Sequence, residues 1–113
     1  MKHISVLNAF SLNMIDFDGS ARWNRVSREV LRDMLDDGHS LAPYLKSYIG
    51  HADTAAVISA DLGFHLPANR ETVKLEAGSR CLVCQYKGPR LPEGATSLPD
   101  GATIEYYWLT VSL

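Results

Sequence analysis

Apolar residues in this chain never run together for more than four positions; the longest unbroken stretches are 55–58, 81–84 and 106–109. A bilayer-spanning helix needs about 20 largely apolar residues, so burial must come from one-sided helices and short strands that share a core. The chain has 113 residues, 46% apolar and 21% charged. That composition excludes disorder, and one domain of roughly 100–150 residues can close a core without staples. Residues 1–113 are therefore read as a single domain. Met1-Lys2-His3-Ile4 runs straight into an alternating apolar pattern with no signal-peptide stretch, so the expected location is the cytoplasm, with no membrane partner.

Alternation around Leu7 predicts a first strand over 2–8, and residues 21–26 a short second one. Ser27 is placed to cap a helix whose apolar face is Val30, Leu31, Met34 and Leu35, stopped by Asp37-Gly38. Residues 39–50 are weakly patterned, and Pro43 argues against a continuous helix there. A second helix, 53–62, is alanine-rich, buries Ala55, Ile58 and Leu62, ends at Gly63, and takes His51 or Asp53 as its cap. Two further strands, 72–75 and 80–86, are expected to pair antiparallel through the turn Glu76-Ala77-Gly78-Ser79. A segment rich in proline and glycine then leads to a last strand, 103–111, dense in aromatic and β-branched residues. The resulting expectation is an α/β domain with a mixed sheet of about five strands and flanking helices.

The formal net charge of −2 excludes a general binder of long nucleic acids, whose affinity rests on many cations neutralising phosphates. Cys81 and Cys84 form one C-x-x-C in a strand, where positions three apart face opposite ways; they are read as core thiols, because a zinc site needs two further ligands. No metal site and no cofactor are expected. Chemistry-bearing residues gather at three joints: Ser11 and Asn13 after the first strand, His51 at the second helix start, and Arg90 with Glu93 in Gly88-Pro89-Arg90-Leu91-Pro92-Glu93-Gly94. His51 stands where unpaired helix N–H groups attract phosphate oxygens, or else merely caps the helix. Arg90 offers a phosphate several fixed donors, or else pairs with Glu93. Ser11 and Asn13 serve a ligand, or else form the turn.

Four segments carry a resemblance: Leu7-Asn8-Ala9-Phe10-Ser11-Leu12-Asn13-Met14; Ile49-Gly50-His51 followed by Thr54-Ala55; Asn69-Arg70 followed by Val73-Lys74-Leu75; and Arg90-Leu91-Pro92-Glu93-Gly94. In this order they resemble the viral anti-CRISPR ring nucleases of type III systems, a family with bacterial members and small archaeal-virus proteins. Residues 15–46 and 95–102 match least. The resemblance implies a metal-independent nuclease that opens cyclic tetraadenylate, the messenger of type III CRISPR defence, in a bacterial or phage-infected cell. It implies a homodimer with the ring at its interface. The family's general acid falls on His51, its phosphate-contacting arginine on Arg90, and its other active-site residues on Ser11 and Glu93. Asn8, Asn13 and Gln85 stand at matching positions as ligand contacts.

Elementary chemistry agrees with that assignment. Metal-free cleavage of RNA uses the ribose 2′-hydroxyl as an internal nucleophile, leaving protonation of the 5′-oxygen as the difficulty, and imidazolium suits it. A ring of four equal nucleotides has a two-fold axis that a C2 dimer matches. Ring and dimer would each carry about four negative charges, so binding would rest on local donors such as Arg90, Lys46 and Arg70 and on backbone N–H groups. The rival readings are a non-catalytic sponge for the ring and a small dimeric interaction protein that uses the Tyr106-Tyr107-Trp108 strand.

Overall fold

The described residues of the computed structural model, 3–36 and 41–113, build five strands and two α-helices. The strands are β1 (Ile4–Leu7), β2 (Ser20–Val26), β3 (Leu45–Ser47), β4 (Arg80–Lys87) and β5 (Thr103–Ser112). The helices are α1 (Arg28–Asp36) and α2 (Ala52–Leu62). They form one α/β domain around a mixed sheet in the order β2-β5-β4-β1-β3. β1 runs parallel to both β3 and β4, while β5 is antiparallel to β4 and to β2.

The sheet has two different faces because its residues alternate. Val6, Leu82, Cys84 and Tyr106 point to the helical side, where Leu31 and Leu35 of α1 and Ala55, Ile58 and Leu62 of α2 complete a core. Leu7, Cys81, Val83, Leu109 and Val111 point the other way, under Phe10, Met14, Ile15, Phe17 and Val73 from the connecting segments. Cys81 and Cys84 thus belong to separate cores; both are free thiols. Burial pushes the Cys81 thiol up to about 11 and Cys84 higher still, the latter also feeling the carboxylate of Asp61.

α1 is capped as its sequence suggests: the Val30 N–H donates to Ser27 Oγ at 3.1 Å. Val30 itself is half exposed and not part of the buried face. The expected stop at Asp37-Gly38 lies outside the described residues, as does Lys2, the first residue of the expected first strand. α2 ends at Gly63, whose φ of 67° is the left-handed conformation that glycine adopts without steric cost. At its carboxyl end the Leu66 N–H donates to Ser59 Oγ at 2.9 Å, and that hydroxyl donates to the Ala55 carbonyl at 2.6 Å.

Two expectations are corrected. Residues 72–75 do not form a strand paired with β4; Leu75 makes only a single parallel bridge, to Ile15. A central strand has two edges, and those of β4 are taken by β1 and by the long β5, whose register reaches from Thr103 opposite Lys87 to Thr110 opposite Arg80. The 76–79 turn is real, with Ser79 N–H donating to the Glu76 carbonyl at 2.9 Å, but Gly78 N–H donates to Val111 of β5. Val73 and Leu75 instead cover the second sheet face. The fifth strand is β3, three residues long, in the segment read as weakly patterned, and it follows a 3-10 turn over Ala42–Tyr44.

Candidate functional site

Because β4, β1 and β3 are adjacent and parallel, their carboxyl ends open on one edge of the sheet. In open α/β sheets such an edge is where ligands bind. β1 delivers Asn8 and Ser11 there, β3 delivers Gly50 and His51, and β4 delivers Gly88 and Arg90. The three joints of the sequence are therefore three neighbouring loops.

His51 is the N-cap residue of α2 by backbone position, with φ −115° and ψ 131°, and its carbonyl accepts the Ala55 N–H at 2.9 Å. Its side chain makes no capping hydrogen bond. The exposed imidazole lines a cavity of about 440 Å³ together with Asp53, Thr54, Tyr86, Gly88, Arg90 and Leu91. Arg90 and His51 are thus the two basic groups of one cavity, beside the free N–H groups of the first turn of α2. Glu93 lies in the adjoining hollow of about 500 Å³, with Asp53, Arg90, Leu91 and Pro92. Among the described residues neither Arg90 nor Glu93 forms an ion pair.

The loop carrying Arg90 is held at both ends. Tyr86 Oη donates to the Pro89 carbonyl at 2.5 Å, and the Gly94 N–H donates to Asp53 Oδ1 at 3.1 Å. A Cβ on Gly88 would lie 2.6 Å from Ala102 Cβ, so the loop packs directly against the residue preceding β5.

On its other side His51 borders a second hollow of about 350 Å³, with Tyr48, Gly50, Asn69, Arg70 and Glu71. Asn69 fixes that wall, its side-chain amide donating to the Ser47 carbonyl at 3.0 Å and its N–H to Ile49 at 2.8 Å. Arg70 Nε donates to the Gly50 carbonyl at 2.9 Å. Lys46, also considered as a donor, pairs with Glu71 at 3.3 Å and lies over the Tyr48 ring.

The remaining candidates divide. Ser11 caps the 3-10 turn Leu12–Met14, its hydroxyl accepting the Asn13 N–H at 3.3 Å. Asn13 lends its carbonyl to Lys74 Nζ at 3.4 Å. Both residues have the turn-forming role; they are exposed at the same sheet edge as His51. Asn8 is half-buried at the end of β1. Gln85 does not join the His51 cavity: it lies on the second sheet face in an apolar hollow with Phe10, Trp23, Val83, Tyr107 and Leu109, because it shares the parity of Cys81 and Val83 along β4.

Asp53 and Tyr86 are the residues whose part in the site the sequence did not announce. Asp53 was legible only as an alternative cap, and Tyr86 only as the end of a strand. The partners of both are backbone groups of the 88–94 loop, and a side chain's bond to a distant backbone leaves no signature in residue types. Among the described residues no group of three His, Cys, Asp or Glu side chains is placed to hold a metal ion, and no helix is long and apolar enough to cross a membrane.

Comparison with known proteins adds the lineage. The structure is similar to B116 of Sulfolobus turreted icosahedral virus, with a TM-score of 0.73 and 27% identity over 96% of this chain and 98% of that one. A search of curated proteins finds no match. The STIV B116-like family profile matches residues 4–108, nearly the whole sheet and both helices, and this chain is a member of that family.

Proposed function

We propose that this protein is a metal-independent ring nuclease that opens cyclic tetraadenylate into linear diadenylates ending in 2′,3′-cyclic phosphates, and so silences type III CRISPR signalling. The observation that carries the reading is the convergence of His51 and Arg90 on one cavity at the carboxyl edge of three parallel strands, beside the N-terminus of α2. A phosphodiester seated there meets the donors its charge requires. The 2′-hydroxyl of the preceding ribose attacks phosphorus, its proton passes to solvent, and the P–O5′ bond breaks. His51, as imidazolium, protonates the departing 5′-oxygen. Arg90 and the first N–H groups of α2 stabilise the negative charge on the phosphoryl oxygens. Glu93, which shares the adjoining hollow with Arg90, holds Arg90 or His51 in place once the ring is bound, and Ser11 and Asn8 face the ribose-phosphate from the β1 loop. Asn13 and Gln85 were the other contacts expected from the resemblance; Asn13 acts through its turn, and Gln85 lines a separate hollow on the second sheet face with Phe10.

A homodimer completes the reading, since two copies of the site related by a two-fold axis address opposite phosphodiesters of one ring. The test is incubation of labelled cyclic tetraadenylate with substoichiometric protein in excess EDTA, wild type beside His51→Ala, with products identified by mass. Multiple turnovers to diadenylate cyclic phosphate, reduced about 10²–10⁴-fold in His51→Ala, support the proposal. Binding without cleavage makes the protein a sponge for the ring, and neither binding nor cleavage overturns the reading.

A further inference from the structure

We propose that Asp53 is a positioning residue: its carboxylate latches the loop that bears Arg90 and Glu93 onto the first turn of α2. The inference rests on the nuclease reading only for its effect on turnover. Asp53 is the second residue of α2 and half-buried, and its Oδ1 accepts the Gly94 N–H from 41 residues away in sequence. It lines both the cavity shared by His51 and Arg90 and the hollow that holds Glu93.

A carboxylate beside a phosphate site opposes anion binding, so its presence there calls for a compensating task. The helix dipole alone favours an acid anywhere in the first turn. At this position the side chain also reaches the far end of the loop, where it accepts the Gly94 N–H. Tyr86 holds the near end at Pro89, and Arg90 and Glu93 lie between the two anchors. With both ends fixed to rigid elements, the guanidinium needs less ordering when a phosphate arrives. Releasing one anchor frees the segment from residue 90 to 94 without touching His51 or the helix N–H groups.

The experiment compares wild type, Asp53→Ala and Asp53→Asn. Asparagine keeps an acceptor oxygen for Gly94 but removes the charge, whereas alanine removes both. The first readout is the rate of trypsin cleavage at Arg90–Leu91 in the folded protein, which reports loop release whatever the protein's activity. Cleavage about tenfold faster in Asp53→Ala and near the wild-type rate in Asp53→Asn is the expected result. The second is amide hydrogen exchange of Gly94 in the wild type, expected to be slowed about tenfold or more relative to an unstructured glycine; it needs no variant to fold. The third is kcat for cyclic tetraadenylate, which falls in Asp53→Ala and is rescued in Asp53→Asn. Unprotected exchange at Gly94, equal nicking in Asp53→Ala and wild type, or an asparagine variant that behaves like alanine overturns the latch. If nicking and exchange follow expectation while the wild type leaves the ring intact, the latch stands as a feature of the fold and the nuclease reading falls.

Discussion

Gly88→Ala is the substitution whose consequences follow most directly from the coordinates. A Cβ at residue 88 would meet Ala102 Cβ at 2.6 Å and Ala102 Cα at 2.9 Å, where ordinary contact begins at 3.4 Å. Ala102 is buried, 7% exposed, and its N–H donates to the Pro99 carbonyl at 3.1 Å, so it yields little. The φ of +155° at Gly88 adds a backbone cost for any L side chain. The loop must therefore move away by about 0.8 Å or more, and overpacking of this kind costs about 1–3 kcal/mol. For a domain near 100 residues that lowers the melting temperature by roughly 4–8 °C per kcal/mol. The same displacement is passed to Arg90 two residues on; under the proposed nuclease function, a misplacement of about 1 Å there costs about 100-fold in rate. Scanning calorimetry and ring-cleavage kinetics on the same preparation check both numbers. A variant that melts like the wild type and turns over at its rate would refute the packing argument at Gly88 and the dependence of Arg90 on it.

Two other perturbations test the frame around the site. Tyr106 Oη donates to Asp61 Oδ2 at 2.5 Å, and Asp61, with 9% of its side chain exposed, also receives Arg28 Nη1 at 3.1 Å. Tyr106→Phe removes a hydrogen bond to a buried charge and is expected to cost about 1.5–3 kcal/mol in urea unfolding; a loss under about 0.5 kcal/mol would contradict the geometry. Cys81 and Cys84 are expected to resist a disulfide-exchange reagent at about pH 8 in the native protein and to react fully in denaturant; fast native labelling refutes their burial. Folding raises both thiol pKa values, Cys81 to about 11. Their contribution to stability is therefore complete below the unfolded thiol value of about 8.5 and is lost progressively as pH rises above it, through about 11 for Cys81 and further still for Cys84, a decline whose onset urea midpoints measured from about pH 7 to pH 11 would register.

Much of the fold was legible because its elements carry their own periods. Alternation marks β1, a short apolar run after the 76–79 turn marks β4, and aromatic and β-branched density marks β5; Ser27 and Gly63 mark the ends of two helices by local hydrogen bonding and a left-handed residue. What escaped were decisions made by competition. β3 is too short to show a period, and it exists because β1 had an open edge for it. Residues 72–75 look like a strand in isolation, yet β5 was longer and held the edge they would have used. Gln85 matched a motif by order along the chain, but strand parity turned it to the other face.

The candidate site divides in the same way. Residue identity alone determined which groups could do phosphate chemistry: an imidazole at a helix start, a guanidinium between two prolines, a hydroxyl after the first strand. Their sequence positions, 11, 51 and 90, do not say that they meet. Only the parallel placement of β4, β1 and β3 puts the three following loops on one edge, and only the tertiary fold lets Asp53 and Tyr86 hold the loop of Arg90. Local sequence encodes what a group can donate or accept, because that is covalent chemistry. Where the group stands is set by which strands win each other's edges, and that depends on the whole chain at once.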